Sequence, residues 1–223
     1  LCPKKLIHYE FGTYIQFFKN EIPNKIYYPQ NKNTLDICFV ACKYSSQGVD
    51  KGYDLFIETA KQLSPKYSFV RFHVVGNFTP NDIDISSIND RITFYGFQNK
   101  DFLLKFYSQM DICISPNRLE KLYHGNFDGF PLGADALAFG CTLLTTDELK
   151  NNDGFTDNKD IVIIKPEINH ILKKCIHLIE NIPQMYQIGK QGQIRCFELL
   201  DPESRLKNIT QFLSQIIKQE TIK

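Results

Sequence analysis

Six short apolar runs alternate with segments of helical periodicity along most of this chain, and this alternation limits the possible folds more than any other feature. The runs occupy residues 35–41, 69–76, 91–97, 111–116, 142–146 and 161–164. Nearly continuous apolar runs of this length are typical of strands covered on both faces of a parallel sheet. The alternation therefore predicts an α/β protein with a doubly wound, Rossmann-like parallel sheet of about six strands and right-handed crossovers.

The two ends of the chain differ from this central part. Residues 1–34 are rich in aromatic side chains and are interrupted by three prolines, with little periodicity. After the last strand, residues 167–180, 183–200 and 202–218 predict three helices with prolines in or just before their first turns. A chain of 223 residues with 43% apolar content is long enough for one sizeable core but not for two full Rossmann domains. We therefore divide it into an entry segment, 1–34, and one domain, 35–223, that includes the C-terminal helices.

Charge and cysteine content narrow the class of protein. The 26 basic and 25 acidic residues give a net charge of +1, and no basic cluster is interleaved with aromatics, so we expect no nucleic-acid partner. The number of cysteines, seven, is odd, and no two of them form a Cys-x-x-Cys pair. The histidines also lack metal-ligand spacing. We therefore expect no bound metal and a location in the reducing cytoplasm. No apolar run approaches the roughly 20 residues that span a bilayer. We expect any membrane association to be peripheral, at the inner face.

A glycine-punctuated stretch at residues 128–140 is the strongest indication of a binding site. It predicts a turn, a short helix of small and apolar residues with Pro131 at its first position, and a glycine that ends the helix. The first turn of such a helix offers unpaired backbone amides to a phosphate, and the small side chains of Gly133 and Ala134 allow close approach. Asp135 is an acceptor that can bind ribose hydroxyls. This order of groups is what a nucleoside diphosphate requires.

The same stretch resembles the signature of the retaining GT-B glycosyltransferases, which reads Glu-Gly-Phe-Gly, a short apolar run, then Glu-Ala-Met-Ala-x-Gly. Here it stands as Asp128-Gly129-Phe130-Pro131 and, seven positions after the first acid, Asp135-Ala136-Leu137-Ala138-Phe139-Gly140. Both acids are aspartates, and the family separates them by eight positions. The resemblance implies that Asp128 contacts the donor sugar and that Asp135 binds the ribose. It further implies donor contacts from Gly129, Phe130, Leu132, Gly133 and Ala134.

Further matches to this family precede the stretch in the expected order. Lys43 follows the first strand, where the family has an arginine, and Lys51 is part of the Lys-Gly pair at the next helix start; both residues hold the diphosphate in the family. Gly76 closes the second strand, and Phe97 and Gln98 lie in the loop that faces the base. Taken alone, each lysine is equally consistent with a solvated loop. Their position at the end of the first strand favours phosphate binding, near the carboxyl ends of strands one and four.

These observations predict the C-terminal donor-binding domain of a retaining glycosyltransferase. By the resemblance, the intact enzyme transfers a sugar from UDP, GDP or a similar nucleotide to an acceptor hydroxyl of a glycan or glycolipid, in surface polysaccharide or glycoconjugate synthesis. It needs no cofactor, and its N-terminal domain binds the acceptor, so this chain, which begins at Leu1, is expected to be an inactive fragment.

Two other function classes are compatible with parts of this sequence. A Rossmann-like module that binds a nucleotide or phosphorylated metabolite without chemistry would share all of these residues. A dinucleotide-dependent enzyme such as an epimerase is disfavoured, because no Gly-x-Gly-x-x-Gly turn follows the first strand. The base, the sugar, the acceptor and the oligomeric state stay open.

Overall fold

The computed structural model describes residues 15–119, 129–150, 154–201, 203, 206–207 and 209–214, and for residues 129–132 the backbone. In this part of the chain, six strands form one parallel sheet in the order β3-β2-β1-β4-β5-β6. The strands are β1 Leu35–Val40, β2 Val70–Val75, β3 Ile92–Phe94, β4 Ile112–Ser115, β5 Thr142–Thr145 and β6 Val162–Ile163. The predicted doubly wound parallel sheet is confirmed.

Helices cover both faces of this sheet. They are α1 Tyr53–Leu63, α2 Lys100–Gln109, α3 Gly129–Ala138, α4 Ile168–Glu180 and α5 Ile182–Leu200. Buried side chains of α1 and α4 form one apolar cluster with alternate residues of β1, and those of α2 and α3 form a second cluster on the opposite face, while α5 contributes to both. The described residues between 203 and 214 are helical, within the third predicted C-terminal helix.

The strand order reverses between β1 and β4. From β1 the chain moves outward through β2 to β3, then returns along α2 and continues from β4 in the other direction. The register aligns Ile37 with Ile112 and Cys38 with Cys113, so the two strands lie side by side. In open α/β sheets, ligands commonly bind outside the carboxyl ends of the strands at such a reversal. The reversal thus falls between the two strands at which the sequence predicts a ligand, and binding there stays a prediction.

The segment that precedes β1 packs closely on the sheet and helices. Ile15 and Phe17 are fully buried, and the Phe17 ring meets Phe139 edge-on with centroids 4.8 Å apart. Nearer β1, the ammonium of Lys32 lies 3.0 Å from Asp36 and 2.6 Å from Asp111. Residues 15–34 are therefore anchored to the domain at several points. The predicted domain boundary after residue 34 stays a prediction.

The cysteines and the length of the helices in the described residues bear on disulfide formation and on membrane insertion. Six of the seven cysteines lie there, and each is a free thiol. None of the helices in these residues combines the length and apolar content that crossing a bilayer demands.

Candidate functional site

The loop that follows β1 lies directly against the loop that follows β4. Gly52 has a φ of +72°, and a Cβ at this position would lie 2.2 Å from the carbonyl oxygen of Pro116, so a side chain is excluded by both strain and space. The backbone amide of Arg118 donates to the Asp50 carbonyl over 3.1 Å, and its guanidinium forms two hydrogen bonds with Asp54, of 2.7 and 2.8 Å. The two loops are therefore fixed to each other where the strand order reverses.

Lys51 is a buried cation in this loop. Only 3% of the residue is exposed, and its Nζ lies 5.3 Å from the centre of the Tyr44 ring, a cation–π arrangement. Burial lowers the pKa of Lys51, while the neighbouring Asp50 and Cys42 act to raise it. An ammonium that is already desolvated attracts an anion more strongly than one in bulk water, because the surrounding dielectric constant is low.

Lys43 is held by the loop that follows β2. Its Nζ lies 2.7 Å from Oδ1 of Asp82, and its backbone amide donates to the side-chain oxygen of Asn77 over 2.6 Å. Burial acts to raise the pKa of Asp82, but hydrogen bonds from Lys43 and Thr79 outweigh it and lower that pKa. Asp82 is therefore ionised at neutral pH and carries the charge that pairs with Lys43.

Gly76 and the Phe97–Gln98 turn form the next part of the same edge of the sheet. Gly76 has a φ of +128°, and a Cβ there would lie 1.8 Å from the carbonyl oxygen of Ala41. Its lack of a side chain therefore lets the end of β2 lie against the end of β1. Phe97 is 67% exposed. The side-chain nitrogen of Gln98 donates a hydrogen bond to the Tyr95 carbonyl in the same turn. An exposed aromatic ring at this edge is available to a planar ligand.

Helix α3 begins at Gly129, earlier than the sequence suggested. Pro131 is its third residue and has no N–H group. The amides without an intrahelical acceptor in the first turn are thus those of Gly129 and Phe130. Leu132 also belongs to this turn, and Asp128 lies outside the described residues.

Gly133 and Ala134 lie deeper in α3 than expected. A Cβ on Gly133 would lie 2.3 Å from a methyl carbon of Leu143, so its missing side chain serves the packing of α3 on β5. Ala134 is 1% exposed, and the thiol of Cys196 approaches its carbonyl oxygen at 3.6 Å. This corrects the position predicted for Gly133, which is in the second turn of the helix and not the first. The donor contacts of these two residues stay predictions.

Asp135 already has partners within the chain. Its Oδ1 accepts a hydrogen bond from the backbone amide of Gln16 over 2.8 Å, and its Oδ2 accepts one from the Gln16 side chain over 2.9 Å. Burial raises the pKa of Asp135, while the two bonds from Gln16 and the charge of Lys100 act to lower it. A ligand with two hydroxyls would meet the same pair of acceptor oxygens that Gln16 occupies.

The sequence did not indicate Asn77, Asp82 or Gln16 as parts of this region. The run Thr79-Pro80-Asn81-Asp82 is typical of a turn, and Asp82 does accept a hydrogen bond from the amide of Thr79 over 2.7 Å. Its pairing with Lys43 joins residues 39 positions apart, which no local pattern specifies. Among the described residues, no group of three or more His, Cys, Asp or Glu side chains is arranged to hold a metal.

The family model for "Glycosyl transferases group 1" matches residues 36–181, from the second residue of β1 to just past the end of α4. This chain belongs to that family. No curated protein sequence matches it significantly.

Solved structures of glycosyltransferases share the fold. The C-terminal domain of LpcC, a group 1 family protein from Francisella tularensis, superposes with a TM-score of 0.60 at 20% identity, over 84% of this chain and 95% of that one. Sucrose-phosphate synthase from Thermosynechococcus elongatus gives a TM-score of 0.66 at 16% identity, over 84% of this chain and 47% of that one. HepE from Anabaena, solved in complex with UDP-glucose, gives 0.64 at 15% identity, over 82% and 49%. This chain thus has the Rossmann-like fold of GT-B C-terminal domains and spans about half of the two longer proteins.

Proposed function

We propose that this chain binds the nucleoside-diphosphate sugar donor of a retaining glycosyltransferase. One observation carries the proposal. The loop after β1, a strand at the reversal of the strand order, carries two cationic side chains, Lys43 and the buried Lys51. A diphosphate is the ligand that such a pair suits, because it carries more than one negative charge on closely spaced oxygens. The fold likeness to HepE, which was solved with UDP-glucose, supports this choice of ligand class.

The reaction requires stabilisation of the departing diphosphate, on which negative charge grows as the bond to the sugar breaks. Lys51, with 3% exposure, provides a charge that is little screened by solvent. Lys43 provides a second ammonium, and the first-turn amides of Gly129 and Phe130 provide donors at the positive end of the α3 dipole. Preorganised donors of this kind lower the barrier because they need no reorientation during the reaction.

Asp135 is proposed to bind the ribose. Gln16 presents two N–H donors to its two oxygens, over 2.8 and 2.9 Å, and the adjacent hydroxyls of a ribose offer the same number of donors. We propose that a ribose hydroxyl replaces the Gln16 side chain at Oδ2. The exposed ring of Phe97, together with Gln98 and Gly76, is proposed to contact the base, and Asp128 is proposed to contact the sugar.

The other proposals concern the whole protein. The chain spans 47% of sucrose-phosphate synthase and 49% of HepE, so a further domain of similar size is proposed to carry the acceptor site. The acceptor is proposed to be a glycan or glycolipid hydroxyl in polysaccharide or glycoconjugate synthesis at the cytoplasmic face of a membrane. The chain alone then binds the donor without transferring sugar.

A thermal-shift panel tests the donor proposal. UDP, GDP, ADP, CMP and their sugars are added to the chain, and a ligand at 100 times its Kd is expected to add about 2.7 kcal/mol to the free energy of unfolding. Asp135→Asn is expected to weaken the response to the nucleotide that binds, because the amide offers one acceptor oxygen in place of two. If no member of the panel raises the melting temperature, the donor-binding proposal is wrong. A sugar-transfer assay on the complete protein then separates an enzyme from a module that only binds nucleotide.

A further inference from the structure

The ion pair between Lys43 and Asp82 has no role in the proposed donor site as described so far. The Lys43 Nζ lies 2.7 Å from Asp82 Oδ1, and 24% and 17% of the two side chains are exposed. Asp82 belongs to the loop after β2, so the contact joins the carboxyl ends of β1 and β2. We propose that Asp82 is a positioning residue that holds the Lys43 ammonium where a bound diphosphate meets it. This inference rests on the proposed donor-binding function.

Asp82 is itself held by its own turn. Its Oδ2 accepts hydrogen bonds from the amide of Thr79 over 2.7 Å and from the hydroxyl of Thr79 over 3.3 Å, while the Asp82 amide donates to the Thr79 carbonyl over 3.1 Å. One carboxylate oxygen therefore serves the turn, and the other faces Lys43. A carboxylate fixed in this way can fix the ammonium that binds to it.

The backbone of Lys43 is fixed by the same loop. Its amide donates to the side-chain oxygen of Asn77 over 2.6 Å, and the side-chain nitrogen of Asn77 donates to the Lys43 carbonyl over 3.2 Å. The neighbouring Gly76 permits this approach, because any side chain there would collide with the Ala41 carbonyl. Both the backbone and the ammonium of Lys43 are thus bound by one loop, although the cation lies near the surface.

A lysine needs such a partner more than an arginine would. Its ammonium is a point charge on a flexible four-carbon stem, whereas a planar guanidinium forms bidentate hydrogen bonds with a phosphate. The ammonium has three N–H donors, so one bond to Asp82 leaves two for phosphate oxygens. Asp82 can therefore order Lys43 without consuming its capacity to bind the ligand.

A double-mutant cycle measured by calorimetric titration with UDP and GDP tests this role. Lys43→Met is expected to weaken binding of the diphosphate about tenfold when Asp82 is present and at most about threefold when Asp82→Asn is also present. Any direct repulsion between Asp82 and the ligand is the same with and without Lys43, so it cancels in the cycle. If Asp82 only competes with the diphosphate for Lys43, then Lys43→Met weakens diphosphate binding by a larger factor in the Asp82→Asn protein than in the wild type. An equal or larger loss overturns the inference.

Asp84→Asn is the matched control, because it removes the same charge from the same loop at an exposed residue whose carboxylate contacts Ser86. It is expected to leave the Lys43→Met effect at about tenfold. If Asp82→Asn does not fold, Asp82→Glu takes its place with the same expected sign, since it shifts the carboxylate by one methylene. A wild-type chain that binds no member of the nucleotide panel overturns both this inference and the proposed function. Nucleotide binding with additive effects overturns the role of Asp82 alone.

Discussion

Replacing Lys51 by methionine removes one charge from the centre of the proposed site and keeps a stem of similar length. A hydrogen bond to a charged group contributes about 1.5–3 kcal/mol, which corresponds to roughly a tenfold to 150-fold change in Kd. Lys51 is 3% exposed, so its ammonium loses little further hydration when a diphosphate binds. We therefore expect the upper part of this range, at least about a thirtyfold weaker binding of the nucleoside diphosphate.

Calorimetric titration at low and high salt measures this effect. A buried charge is screened less than an exposed one, so the loss in Lys51→Met should persist at high salt, whereas the loss in Lys43→Met, at a side chain that is 24% exposed, should shrink. Lys25→Met is the matched control, because it also removes a partly buried ammonium. The Lys25 ammonium donates to the Met110 carbonyl just before β4, at the amino ends of the strands and therefore away from the proposed site. A change of less than threefold in Lys51→Met, in a protein that melts normally, would refute the reasoning.

Two other expectations follow from described contacts. Burial acts to raise the pKa of Asp36, but His73 and Lys32 outweigh it and lower that pKa to about 2. Ionised Asp36 therefore stabilises the folded state above its unfolded pKa. This stabilisation is lost as the pH falls from about 4 to about 2. In urea unfolding, the wild type should lose about 2 kcal/mol more over this interval than Asp36→Asn, and parallel losses would contradict this. Gln16→Ala should tighten nucleotide binding about threefold, since the ribose no longer displaces the Gln16 side chain from Asp135, and weaker binding in calorimetry would argue against that exchange.

Much of the fold could be predicted because local pattern and tertiary environment agree. The apolar run at 35–41 became β1, Leu35–Val40, at the centre of the sheet, where both faces are covered. His73 lies in the apolar run that became β2, and its ring nitrogens are 2.7 Å from Asp36 and 3.0 Å from the Tyr95 hydroxyl. Its partial burial follows from its place in an apolar strand, but its partners come from β1 and the end of β3. Periodicity predicts burial and leaves such partners undetermined.

The candidate site was less predictable, because its details depend on contacts between loops. The order of motifs placed Lys43 and Lys51 at the end of β1, and strand order alone brings that loop to the reversal point. The small residue at position 133 was expected to face a ligand, whereas it faces Leu143. Glycine in a short apolar helix is compatible with either environment, and only the packing of α3 on β5 distinguishes them. The Asp82 partner of Lys43 is likewise set by the approach of two loops.

A crystal structure of the chain with UDP or GDP would test the central claim most directly. The account predicts that the diphosphate lies at the reversal point between β1 and β4, with oxygen atoms within hydrogen-bond distance of the Lys51 ammonium and of the first-turn amides of α3, which begins at Gly129. A nucleotide bound elsewhere on the chain, with Lys51 and Gly129 making no contact to phosphate, would contradict it.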